Sequence, residues 1–411
     1  LKQILTGTQA KNEELLKLEE EIIEKVHSDE YSGDYRERIL KSNMSMQSKI
    51  SAYQRLETME RYEDTDTSEY AKYKNWIDSL LSVPYGKFVS VPSVESDIDS
   101  AKDFMKNARQ ILDKRLSFLE KPKDQIINVL AQMMRNPDTS INAIGLYGAA
   151  GIGKTSIVKS VAEALDRPFR TISLGGESDA TTLTGHGFTY VGSNPGRIID
   201  ILRETRCMNP VVLIDELDKV SETHHGKEII GTLIHLTDST TNSKYNFDKY
   251  FSGIDFDLSK VLFVFTYNDP SKIDKILADR LFKIKVENYT IKEKNEIAKN
   301  HLISSVLASY GFKDSDIIFP DDTIQHIISI CSGQDGMREI KRKIEIIVSR
   351  INTLLITSNT PDIIKLKYNS LSDHYTNIPV TVNIEHVATL LTDSSAVFED
   401  NFSSPPPGMY I

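Results

Sequence analysis

Between residues 12 and 27 the chain reads NEELLKLEEEIIEKVH, with Leu15, Leu18, Ile22 and Val26 at spacings of three and four. That is the period of one helix face. Polar breaks at 29–34 and 64–68 divide residues 1–85 into about three helical pieces, which end at Val83-Pro84-Tyr85-Gly86. After a connecting stretch at 87–97, amphipathic helices are predicted from Ile98 to Arg135. Between Ile141 and Glu287 the pattern changes, and INAIGLY, PFRTISL, PVVLIDE, KVLFVFTYN and FKIKVENY read as short strands separated by helical runs. Strands that alternate with helices imply a parallel sheet with crossover helices. From Ile291 to Thr392 strand patterns nearly vanish, and runs such as REIKRKIEIIVSRINTLLI predict a second, mainly helical subdomain. The tail SSPPPGMYI cannot continue a helix through three successive prolines and reads as a linker. The predicted organisation is a helical domain with connector at 1–97, an α/β domain at 98–288, a helical subdomain at 289–393 and a linker at 394–411. No solenoid-period repeat is visible.

Composition narrows the class. A chain of 411 residues calls for two or three domains, and 39% hydrophobic with 26% charged residues is ordinary for a globular protein. No run approaches the roughly 20 apolar residues of a membrane helix. A formal charge of -10 argues against a nucleic-acid binder of the whole-surface kind. Cys207 and Cys331 share no metal-ligand spacing, so two reduced thiols in a reducing compartment are expected, cytoplasmic or one such as the mitochondrial matrix. Leu1 is not a natural start and no signal peptide follows it, so the chain is expected to be a fragment.

The sequence Gly148-Ala149-Ala150-Gly151-Ile152-Gly153-Lys154-Thr155 fits G-x-x-x-x-G-K-[ST], lies between a predicted strand and a predicted helix, and runs into Ser156. There the loop amides and the helix N-terminus would face a phosphate, Lys154 would reach the β- and γ-phosphates of ATP, and Thr155 would hold Mg²⁺. Val211 to Ile214 is an apolar strand ending in Asp215-Glu216. Alternation points the two carboxylates differently, so Asp215 can serve the Mg²⁺ shell while Glu216 faces an attacking water. A third strand ends in Asn268-Asp269, where spacing leaves an amide for water or phosphate and ordinary turn chemistry equally open. Arg280 alone reads as a surface ion-pair partner, and Arg338, opening a later helix, could reach a nucleotide or stay solvated.

Taken in order, these motifs resemble the AAA+ superfamily. The segment from Gly185 to Ile199, GHGFTYVGSNPGRII, is similar to the G-H-x-x-T-Y-[IV]-G-x-x-P-G segment of Lon proteases, as are LIDELDKV and NFDKYFSGIDFDLSKVLFVFTYND. The resemblance implies a P-loop AAA+ sheet domain followed by a helical lid, in a self-assembled ring expected to be a hexamer. It implies that Asn268 is a sensor, Arg280 an arginine finger for a neighbouring subunit, Arg338 a second sensor, and Tyr190 and Val191 a substrate-gripping pore loop. The implied substrates are unfolded or misfolded proteins, with no membrane and no nucleic acid as partner. The alternative is a nucleic-acid remodelling or clamp-loader-like AAA+ ATPase, which shares every ATPase motif. Three departures stand out: Leu116-Ser117-Phe118 where Lon carries its His-Tyr-Gly adenine seat, no Ser-Lys dyad after the proline tail, and Thr223-His224-His225-Gly226-Lys227 in place of the usual second pore loop. Adjacent histidines do not suit joint metal binding, so this last segment is expected to be a solvated loop.

Overall fold

The computed structural model describes residues 34–95, 97–136, 142–176, 179–189, 192–221, 223–238, 240–331, 336–357 and 368–392. The helix read over 12–27 and the proline tail lie outside them. The chain is divided between two compact units, neither of them continuous in sequence. One comprises residues 1–89, 179–210 and 223–261, the other 90–178, 211–222 and 262–411.

The second unit holds a five-stranded parallel sheet of β1 (Ala143–Tyr147), β2 (Phe169–Ser173), β3 (Val211–Asp215), β4 (Leu262–Tyr267) and β5 (Phe282–Lys285), in the order β2-β3-β4-β1-β5. Each strand falls inside one of the five runs marked by the apolar pattern. Near-continuous apolar strands suit a parallel sheet covered on both faces, and β4 is buried at every position. On one face Ile144, Leu146, Val211, Leu213, Leu262 and Val264 share a core with the helices Ile98–Arg115, Glu120–Arg135 and Lys154–Ala164. The registers Ala143↔Phe263 and Val211↔Leu262 bring the carboxyl ends of β3, β4 and β1 side by side.

The helical part of this unit begins with a capping box. Thr290 Oγ1 accepts from the Glu293 amide, and the Glu293 carboxylate accepts from the Thr290 amide. A π-helical turn at Ala298–Leu302 follows, then the helices Ile303–Ser309, Asp321–Ile330, Arg338–Thr357 and Ile384–Leu391 around a core that includes Ile324, Ile344, Ile347 and Val387.

In the first unit the stretch between the breaks at 29–34 and 64–68 is two helices, Tyr35–Lys41 and Met46–Tyr62, and not one piece. Ser45 restarts the chain, its hydroxyl accepting from the Ser48 amide at 3.1 Å. The next helix, Thr67–Leu81, carries the fully buried Trp76, whose indole N–H donates to the Tyr250 carbonyl at 2.8 Å. Phe188 packs edge-on to Tyr73 at 5.0 Å, and the Arg55 guanidinium lies 4.1 Å from the Trp76 ring and 4.8 Å from Phe188.

The expected solvated loop at 223–227 is instead the start of the helix His224–Thr237, with Thr223 as its cap. Helical spacing sets Glu228 against both histidines, 3.2 Å from His224 Nδ1 and 4.0 Å from His225 Nδ1. Ligand atoms of the three therefore lie within 4.8 Å of one another, which corrects the expectation that these histidines cannot meet around one ion. All three side chains are exposed, and ordering them costs rotamer freedom, so no metal is assigned there.

Asp248 is 2% exposed and accepts three backbone N–H bonds, from Gly196 at 2.7 Å and from Tyr250 and Phe251 at 3.0 Å each. Burial pushes its carboxyl up from 3.8 to about 6, against the pull of those amides and with a small push from Asp200. A carboxyl raised in the folded state favours folding below its unfolded value and loses that contribution as pH rises through the folded one. The parent protein should therefore lose stability relative to Asp248→Asn between pH 4 and 6, by up to ~3 kcal/mol, and the difference should be flat above that. Urea unfolding of both proteins across this range checks it. A pH-independent difference would show that Asp248 titrates as it does in the unfolded chain.

Candidate functional site

The loop after β1 turns because Gly148 adopts φ +150°, where a Cβ would collide with the Val286 carbonyl oxygen and stand 2.8 Å from Ile152 Cδ1. Gly153, at φ +94°, starts the helix Lys154–Ala164 without a side-chain cap. The first-turn amides of that helix are thus left for another acceptor. Lys154 Nζ donates to the carbonyl oxygens of Gly148 at 2.6 Å and Ala149 at 2.8 Å, and to Asn268 Oδ1 at 2.7 Å. All three acceptors are neutral. Burial lowers the Lys154 pKa, and the negative charges of Asp215 and Asp218 restrain that shift.

At the end of β3, Asp215 Oδ1 accepts from the Thr266 hydroxyl and from the Glu216 amide at 2.9 Å. The pairing Ile214↔Phe265 puts Thr266 beside Asp215. Among the described residues, Asp215 Oδ2 has no hydrogen bond. Glu216 turns the chain in a left-handed conformation, φ 60° and ψ 42°, which is uncommon for a residue with a side chain. Its carboxylate is exposed. Two residues on, Asp218 Oδ2 accepts from the Asn268 and Asp269 amides at 3.2 Å each, while its Oδ1 is buried without a partner among the described residues.

From the helical part, the Met337 amide donates to the Gly151 carbonyl at 2.9 Å, which brings Arg338 over the loop. A cavity of about 400 Å³ results, lined by Ala150, Gly151, Gly153, Lys154, Thr155, Ser156, Asp215, Glu216, Asn268 and Arg338, with Leu302 of the π-helical turn at its wall. Of the residues picked from sequence, Ile152 is fully buried, and Arg280, half-buried at the end of the helix Lys275–Arg280, lies outside the lining. Tyr190 and Val191 lie outside the described residues. Leu116 is buried, and Phe118, at φ 60°, packs against the core of the helical part. Thr266, Asp218 and Lys341 were not singled out from sequence. Asp218 alone had a signal, as the next carboxylate in LIDELDKV.

Residues 144–288 match the model of the ATPase family associated with various cellular activities (AAA). The Lon protease of Clostridium beijerinckii is 35% identical over 363 residues, 88% of this chain and 44% of that protein. The chain carries a Lon-family AAA+ region. A Lon protease homolog of Acanthamoeba polyphaga mimivirus is 38% identical over 259 residues, 63% of this chain and 25% of the relative. The Lon protease of Clostridium acetobutylicum is 36% identical over 333 residues, 80% and 41% respectively. The chain thus spans less than half the length of these relatives. Among the described residues, no helix of this Lon-family region is long and apolar enough to cross a membrane.

The residues present fit a nucleoside triphosphate with a divalent cation. A cation whose acceptors among the described residues are all neutral oxygens is ready for an anion, and a helix N-terminus without a side-chain cap lies beside it. Asp215 Oδ2 and the Thr155 hydroxyl supply hard oxygen donors of the kind Mg²⁺ takes.

A Cβ on Gly336 would collide with the Ala150 carbonyl oxygen and stand 2.8 Å from Gly151 C, and backbone cannot swing aside as a side chain can. Gly336→Ala should weaken binding of a fluorescent ATP analogue by about fivefold or more, from an overpacking cost of ~1–3 kcal/mol. Unchanged affinity would mean that the loop and the helical part separate without consequence.

Proposed function

We propose that this chain is the ATP-hydrolysing unfolding and translocating part of a Lon-type ATP-dependent protease, threading polypeptide through a homo-oligomeric ring, a hexamer. The observation that carries the reading is the convergence of Lys154, Asn268, Asp215, Glu216 and Arg338 on one cavity at three adjacent strand ends. Bound ATP with Mg²⁺ would supply the phosphoanhydride to be broken and the charge that offsets its phosphates. Lys154 would exchange its neutral acceptors for phosphate oxygens, and the loop amides 149–153 would face the same groups. Thr155 and Asp215 would hold the cation, and Ser156 would extend the helix-terminal cradle. Glu216 would take the proton of an attacking water, oriented by Asn268, while Arg338 reports occupancy to the helical lid. Arg280 lies outside the cavity of its own chain, which supports a role on the next subunit's nucleotide. Tyr190 and Val191 are proposed to grip the polypeptide, on the likeness of residues 185–199 to the Lon segment. The free, buried thiols Cys207 and Cys331 suit a reducing compartment.

Lys154 and Glu216 separate binding from chemistry. Lys154→Ala should abolish ATP binding, whereas Glu216→Gln should bind normally and hydrolyse at least ~10²-fold more slowly, the scale of a positioned base. Nucleotide titration and phosphate release on both variants decide this, and undiminished turnover in Glu216→Gln removes it from the mechanism.

Protein translocation is tested at Tyr190 in the full-length protease. An aromatic ring grips many sequences by apolar contact without reading any of them. Tyr190→Ala should keep basal ATPase and assembly, lose degradation of a stably folded substrate, and still cut short unstructured peptides. Degradation of the folded substrate at the parent rate, or ATPase stimulated by duplex DNA and not by casein, would count against a protein translocase.

A further inference from the structure

Gly175 and Gly176 follow β2, and the Leu174 amide ties this turn to the Asp215 carbonyl at 3.0 Å. The two glycines differ in why a side chain is missing. Gly176 has φ +88°, a conformation that favours glycine, and among the described residues nothing lies within 4 Å of where a Cβ would stand. Gly175 is not in that region, so its backbone would accept alanine. Among the described residues, the three nearest atoms beyond its chain neighbours to a Cβ at Gly175 all belong to Glu216: Oε2, which it would overlap, Cδ at 2.9 Å and Cβ at 3.6 Å. The bare α-carbon of Gly175 is therefore the floor on which the Glu216 carboxylate rests.

We propose that Gly175 is a positioning residue for hydrolysis, its lack of a side chain holding the Glu216 carboxylate at the cavity wall. This rests on the assignment of Glu216 as the base. The left-handed backbone of Glu216 aims the side chain across the β2–β3 gap, and neighbouring strands at hydrogen-bonding distance leave no room for both a methyl group and a carboxylate. Because the obstructing atoms are the far end of a flexible side chain, alanine at 175 moves the carboxylate and not the fold.

The test uses the intact chain, comparing ATP hydrolysis in the parent, Gly175→Ala, Glu216→Gln, the double variant, and Gly231→Ala as a helical glycine with open space around it. The expected result is a kcat at least ~10-fold lower in Gly175→Ala with KM for ATP within about twofold, and parent behaviour in Gly231→Ala. Gly175→Ala should add no further loss to Glu216→Gln, since one acts through the other. If Glu216→Gln is impaired while Gly175→Ala turns over at the parent rate, the positioning role is overturned and the base assignment stands. Additive losses, or a loss carried in KM, likewise overturn it. Undiminished turnover in Glu216→Gln removes the base assignment and the proposal with it. A melting temperature lowered by more than ~5 °C in Gly175→Ala would make the glycine a folding requirement and overturn the proposal.

Discussion

The Lys154 ammonium is held by three neutral oxygens, two from its own loop and one from the tip of β4. Among the described residues no carboxylate contacts it, and burying half of a cation in this way is costly, which is why its pKa falls. The cost is limited by Asp215 and Asp218, which attract it through space without touching it. Were either carboxylate in direct contact, the ammonium would be neutralised, and an incoming anion would have to break an ion pair. The site is built to keep positive charge available, and the strand order is what keeps it so. Only with β4 next to β1 does Asn268 reach Lys154, and only with β3 on the other side of β4 do the two aspartates stay one strand away.

Asp218 and Thr266 keep that spacing fixed. Thr266 ties Asp215 to β4 from within the sheet, while Asp218 ties the turn after β3 to the amides at the tip of β4. Together they make the ends of β3 and β4 one rigid edge, so Asn268 and Asp215 cannot shift independently. The orphaned Oδ1 of Asp218 shows that this bracing leaves polar capacity unused beside the cavity. In the other unit Asp248 does comparable work by different means. A single buried carboxylate fixes Gly196 to the turn at 250–251, and Phe188 is wedged among Tyr73, Trp76 and Arg55. A glycine-rich segment is thereby anchored at 188 and 196.

The inner strands β3, β4 and β1 were legible because buried parallel strands need nearly unbroken apolar runs, and the edge strands β2 and β5 because aromatic and β-branched residues alternate there with polar ones. The P-loop and Asp215-Glu216 were legible because each is contiguous. Strand order was not, since adjacency of β4 and β1 is decided by packing between residues more than a hundred positions apart. The break at 42–45 was missed because serine caps a helix through one hydroxyl, a signal weaker than the apolar period around it. His224 and His225 were misjudged for a related reason. Their solvated composition suggested a loop, while the apolar face further along, at Ile229, Leu233 and Leu236, carries the helix.

Glycine was the residue type whose meaning sequence could least supply. Those of the P-loop announce themselves by spacing, but what Gly175 and Gly336 do is set by the atoms above them. Gly336 is filled by the backbone of another loop, Gly175 by a carboxylate, and the two substitutions should fail differently. A methyl group at 336 meets atoms that cannot rotate away, so the error passes into how the site closes. A methyl group at 175 meets a carboxylate that can rotate, so the fold absorbs it and the chemistry does not. The distinction follows from what occupies the missing volume, and it separates a glycine required for assembly of the site from one required only for the orientation of its base.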